Sequence, residues 1–95
     1  MSDAVVVVGG SFAPADVPEV VRQMRRVAAA QECLGILCDV GPLRSVDLVT
    51  VDALAQLALA ARRLGKGLRL TNSTIELRDL LALAGLEAVL PCAPD

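Results

Sequence analysis

Most enzymatic chemistry begins with a nucleophile and a base, and this chain of 95 residues contains no histidine. Without imidazole, the Ser–His and Cys–His systems that activate a hydroxyl or thiol are missing, and so is the commonest metal ligand. Three cysteines remain, Cys33, Cys38 and Cys92. Their number is odd and no two stand in C-x-x-C spacing. They read as reduced thiols of a cytosolic protein, not as a disulfide frame or zinc site. Eleven carboxylates are scattered along the chain, with no pair at a spacing that suggests acid–base work. Neither enzymatic activity, a cofactor nor a metal is expected.

The side chains with most to offer lie between Arg44 and Ala53: Arg44, Ser45, Asp47, Leu48, Val49, Thr50, Asp52 and Ala53. Asp47 suits a helix N-cap, where it accepts a hydrogen bond from the N–H of Val49 or Thr50 and favours the positive helix end. Thr50 and Ser45 are the hydroxyls nearest to it. Asp39, eight residues before Asp47, ends an apolar run. It could hold a cation or a partner's N–H, or satisfy nearby loop amides. Helix N-termini at Val17, Leu48 and Thr74 offer N–H groups to an anion, but no Gly-rich phosphate loop accompanies them.

Composition narrows the function further. Hydrophobic residues make up 55% of the chain and mean hydropathy is +0.60, so disorder is excluded. Apolar runs such as Ala4–Val8 and Leu57–Ala61 are five residues long, far short of a membrane span of about 18. No basic n-region with a long apolar stretch opens the chain, so no secretory signal is expected. Net charge is −2, with a single Phe and no Trp or Tyr. A nucleic-acid surface is therefore not expected, having neither basic excess nor stacking platform, and an anionic-membrane surface fails on charge alone.

These residues must be positioned by alternating strands and helices. Ala4–Val8 is a β-branched run closed by Gly9-Gly10 and reads as a buried strand. Asp16 is expected to cap a helix over Val17–Ala28, with Glu19 three residues on and Pro18 in the first turn. Its apolar face would be Val17, Val20, Val21, Met24, Val27 and Ala28. Leu34–Val40 reads as a strand apolar on both faces, hence central in a covered sheet. A long helix is expected over Leu48–Leu64, stopped by Gly65 in a left-handed C-cap. Leu68–Thr71 is a third strand. Ser73–Glu76 reads as a capping box opening a helix through Ala84, and Ala88–Leu90 is a short last strand. The order βαβαβαβ predicts an α/β fold, with one mostly parallel four-stranded sheet and three main helices in a single domain over residues 1–95. Val21, Ile36, Leu54, Leu70 and Leu81 are its expected core. The helix after Asp47 is apolar nearly all round, which predicts either burial on two sides or a docking face at Leu48, Val49 and Asp52.

From Ile36 to Leu90 the chain resembles the STAS domain, shared by sulfate-transporter tails and anti-sigma factor antagonists. The resemblance rests on a strand ending in Asp39 and on Asp47 eight residues on. It continues through Ala53-Leu54 within the helix, Arg62-Arg63-Leu64-Gly65 at its end, and Leu80-Leu81 followed by Gly85-Leu86. Only one strand precedes the first helix, where larger members have a hairpin. The resemblance implies a bacterial, cytoplasmic, non-enzymatic interaction module that binds a histidine-kinase-like anti-sigma factor through the Arg44–Asp52 region. The departure lies at the family's Asp-Ser-Ser-Gly, where this chain has Asp47-Leu48-Val49-Thr50. The two hydroxyl residues have become Leu48 and Val49, so the usual phospho-switch is not expected there, and the resemblance leaves Thr50 and Ser45, both out of the motif's register, as the candidate phosphoryl acceptors. Small STAS proteins also serve as accessory subunits on the ATPase of a lipid-transport ABC system, which is a second implied partner. A small-ligand or anion sensor is a third reading, and homodimerisation is left open.

Overall fold

The computed structural model describes residues 4–30 and 35–92. Cys33 and Leu34 therefore lie outside the described residues. Three strands, β1 (Ala4–Val7), β2 (Gly35–Asp39) and β3 (Gly67–Thr71), form a parallel sheet in the order β1-β2-β3. Its register aligns Val6 with Cys38 and Cys38 with Leu70. Helix α1 (Val17–Ala30) joins the first two strands, α2 (Leu48–Arg63) the next two, and α3 (Ile75–Leu83) follows β3.

A strand order that advances in one direction has a geometric consequence. Right-handed crossovers between successive neighbours place every connecting helix on the same side of the sheet. The burial alternation agrees with this. Ala4, Val6, Ile36, Cys38, Leu68 and Leu70 are buried beneath the helices, whereas Val5 and Val7 are 52% and 54% exposed. The sequence-based expectation of a sheet covered on both faces, with β1 fully buried, is thus corrected. Apolar composition alone suggested two buried faces, and the topology supplies helices for one.

The expected fourth strand at Ala88–Leu90 is also corrected. After α3 the chain turns, and the amides of Val89 and Leu90 both donate to the carbonyl of Leu86 (3.1 and 2.9 Å). That turn drives Leu90 into the core. Contact with the sheet comes only beyond it, where Leu70 donates to Pro91 (2.9 Å) and forms an isolated parallel bridge with Cys92. Among the described residues the sheet therefore has three strands.

Helix α2 crosses the middle of the covered face. Val51, Ala53, Leu54, Leu57, Ala58 and Ala61 are all buried, facing the sheet and packing between α1 and α3. It ends where Gly65 adopts φ +76°, with Gly65 donating to Arg62 and Lys66 to Ala61 (2.9 and 3.0 Å). Without a Cβ, glycine enters this left-handed region at little cost and ties off the helix's last carbonyls. Helix α1 buries Val17, Val20 and Met24, while Val21, expected in the core, lies half-buried beside the groove between α1 and α2. Asp16 does not cap α1. A short 3-10 turn over Pro14–Asp16 runs straight into the helix, and the Asp16 carboxylate accepts from the amide of Ala13 (3.0 Å). For α3 the cap sits one residue later than expected, because Thr74, not Ser73, accepts from Leu77 (3.2 Å).

Candidate functional site

All strands run the same way, so the loops leaving β2 and β3 and the starts of α2 and α3 gather at the carboxyl end of the sheet. Two tethers hold the loop after β2. Arg44 donates its amide to Gly10 (3.0 Å), and Gly10 donates to Pro42 (3.2 Å), which pins the loop to the exit of β1. Gly9 makes the approach possible, since a Cβ there would meet Pro42 Cβ at 2.9 Å. The second tether is Asp39, whose Oδ1 accepts from the amide of Gly41 (2.9 Å) and from Asn72 Nδ2 (3.1 Å). Asp39 thus satisfies loop donors and links the loops after β2 and β3. Asn72, at φ 59°, was not singled out from the sequence. Its one available signal was an Asn just after a strand, a residue that tolerates the left-handed conformation.

From this anchored loop α2 begins at Asp47. The carboxylate accepts from the amide of Thr50 (2.9 Å) and from the Thr50 hydroxyl (3.1 Å), which also lies 3.4 Å from the carbonyl of Ser45. These donors, the Thr50 amide first and its hydroxyl next, hold the Asp47 carboxyl below its ordinary pKa. A fixed negative charge therefore stands at the positive end of α2.

Exposure divides the eight candidate residues. Arg44, Ser45, Asp47, Leu48, Val49 and Asp52 are open to solvent. Thr50 and Ala53 are not. Thr50 is 2% exposed and Ala53 is fully buried, because both fall on the face of α2 that turns inward. They support the surface from behind and are not part of it. The two hydroxyls thus part company: Ser45 is exposed and Thr50 is enclosed with its oxygen already donating.

The accessible part is unusually apolar for a helix start. Leu48 is 66% and Val49 53% exposed. Ile75, the first residue of α3 at the same end of the sheet, is 75% exposed. Ile75 was missed in the sequence, where it sits inside a capping pattern and reads as an ordinary helix residue. The charged residues next along the chain are Arg44, Asp47 and Asp52 for Leu48 and Val49, and Glu76 for Ile75, with Asp52 accepting from Gln56 (3.3 Å). This arrangement has no activated nucleophile. Among the described residues the buried thiol is Cys38, pushed up to about 12 by burial first and then by the neighbouring Asp39 charge. A thiol in that state is neutral and inert at neutral pH. Exposed apolar side chains ringed by a few charges can instead take up another protein surface.

Among the described residues no helix is long and apolar enough to cross a membrane. No individual curated protein matches the chain. The family model described as "Mlab, STAS domain" matches residues 1–91. That match spans the sheet, the three helices and the helix start at Asp47, and the chain therefore belongs to the STAS domain family.

Proposed function

We propose that this protein is a non-enzymatic docking module, which binds a histidine-kinase-like anti-sigma factor through the start of α2. The observation that carries the reading is the exposure of Leu48 and Val49 (66% and 53%) beside Asp47, Asp52 and Arg44. Apolar side chains this exposed add little to the isolated domain, and they gain when another surface covers them. The absence of a hydroxyl on either residue makes this docking constitutive. Phosphorylation releases or recruits partners by adding about two negative charges at the interface, and Leu48 and Val49 cannot carry that charge. A permanent apolar surface also suits a fixed subunit of a larger machine. That favours a second reading, in which the same face holds the ATPase of an ABC-type lipid-transport system.

Val49→Glu tests the docking face. The new carboxylate gains up to about 1 kcal/mol from the helix end, reduced by the like charges of the Asp47 cap and of Asp52 one turn on. It forfeits about 1 kcal/mol from the partly buried valine, so the fold should lose no more than about 1 kcal/mol. In a desolvated interface the same charge should weaken binding by roughly a hundredfold or more. The tagged full-length chain is first co-purified from its own cells, and the ATPase recovered is produced separately and titrated by calorimetry with wild type and variant. A kinase-like ATPase selects the first reading and an ABC ATPase the second. Undiminished binding by folded Val49→Glu refutes docking through α2.

A further inference from the structure

The outer edge of β1 is built for pairing. Val8 donates its amide to Asp39 (3.0 Å), and Gly10 continues the same parity by donating to Pro42. In a parallel ladder alternate residues turn their N–H and C=O toward each side. Val6, Val8 and Gly10 therefore face β2 and the loop after it, and Val5 and Val7 direct their backbone groups away from the sheet. Strand β1 lies at the sheet edge, and among the described residues no other strand pairs with that side. The side chains of the same two residues lie on the uncovered face, 52% and 54% exposed.

Edge strands in monomeric proteins are kept very short or carry a charge, a proline or a bulge that prevents further pairing. Strand β1 is short, at four residues, but Ala4–Val8 carries no charge, proline or bulge. Only another extended backbone satisfies a row of alternating N–H and C=O groups. A second copy supplies one automatically, because an antiparallel two-fold pairing matches any edge to itself. We infer that two copies of this chain associate edge to edge through β1, antiparallel about Val6. Val5 of one copy then lies opposite Val7 of the other, and each such pair exchanges two backbone hydrogen bonds. No charge on β1 opposes the approach. The paired edge buries on the order of a few hundred Å², against roughly 1,200 Å² or more for a stable interface. The dimer is accordingly weak, with a dissociation constant on the order of 100 µM. It involves neither Leu48 nor Val49 and stands apart from the docking reading.

Sedimentation of the full chain from about 10 µM to about 1 mM should show reversible dimerisation. Val5→Lys with Val7→Lys sets lysines directly opposite one another and should raise the dissociation constant by roughly tenfold. Val5→Lys with Val7→Glu sets lysine opposite glutamate in both pairs and should restore association to about the wild-type level or better. The exposure of both positions lets these side chains sit in solvent, and circular dichroism checks that the variants fold. Amide exchange of the wild type supplies a second measurement that needs no variant. Protection of Val5 and Val7 should rise with protein concentration, while that of Val6 and Val8 stays constant. A wild type monomeric throughout the range overturns the inference. So do failure of the Lys/Glu pair to recover, and amides of Val5 and Val7 that ignore concentration.

Discussion

Thr50 sits where this chain departs from the hydroxyl pattern of its family, and two substitutions there separate a structural threonine from a switch. Its side chain is 2% exposed and its hydroxyl bonds Asp47 Oδ1 at 3.1 Å. Thr50→Val keeps the shape and removes that one bond. The Thr50 amide still donates to the same Asp47 oxygen, and the lone pair left open on this exposed carboxylate turns to water. The cost should be that of a single hydrogen bond, about 0.5–1.5 kcal/mol, reduced by burying a methyl in place of a hydroxyl. For a domain of this size it lowers the melting temperature by about 4–8 °C per kcal/mol. Thr50→Glu differs in kind. It forces a carboxylate into an enclosed site beside the Asp47 carboxylate. An uncompensated buried charge costs about 3–5 kcal/mol, a large part of the 5–15 kcal/mol that holds a typical domain together. Urea denaturation followed by circular dichroism measures both. A Thr50→Glu variant within about 1 kcal/mol of wild type would show that the start of α2 opens readily and that Thr50 is within reach of a phosphoryl donor. Incubation with the partner kinase and ATP, read by mass spectrometry, should likewise leave Thr50 unmodified.

Leu54→Ala should destabilise the domain by about 2–5 kcal/mol in the same denaturation assay, because Leu54 is fully buried at the centre of α2. Leu59→Ala on the exposed side of that helix should cost less than about 1 kcal/mol, and equal costs would mean that the helix faces are misassigned. Cys38 should resist alkylation in the native protein at pH 8 and react fully in denaturant, and rapid native labelling would contradict its enclosure. Its thiol pKa is raised from 9.0 to about 12 in the folded state, so the native state holds the proton more tightly than the unfolded chain does. The stability this provides is complete below pH 9 and declines as pH rises toward 12. A flat stability profile across that window would refute the shift.

Much of the fold was legible in the chain because local chemistry specified it. The α2 stripe of Val51, Leu54, Leu57, Ala58 and Ala61 gives both the helix and its inward face. Gly65 marks the helix end through a conformation that other residues enter only with strain. Asp47 was readable as a cap, and the Thr50 amide found at 2.9 Å is the bond that reading required. The caps at Asp16 and Thr74 show where local reading fails. Ser73 and Thr74 both carry a hydroxyl and compete for one helix start, whereas the Asp16 carboxylate is taken by the amide of Ala13 in the turn that precedes α1. The segment Ala88–Leu90 was misread for a similar reason. Three apolar residues suit a strand or a turn equally, and the carbonyl of Leu86 settles the matter in favour of the turn.

By itself the sequence determined the three helices and the first three strands, the inward stripe of α2 and the loss of hydroxyls after Asp47. These follow from side-chain type and from the periods of 3.6 and 2, which are properties of neighbours along the chain. Only the tertiary structure decided which apolar residues are covered. Val5 and Val6 are the same residue one position apart, yet one is 52% and the other 3% exposed. Thr50 is enclosed and Leu48 exposed for the same reason. Burial depends on which elements the topology brings overhead, and a strand order advancing in one direction leaves the second face of the sheet without helices.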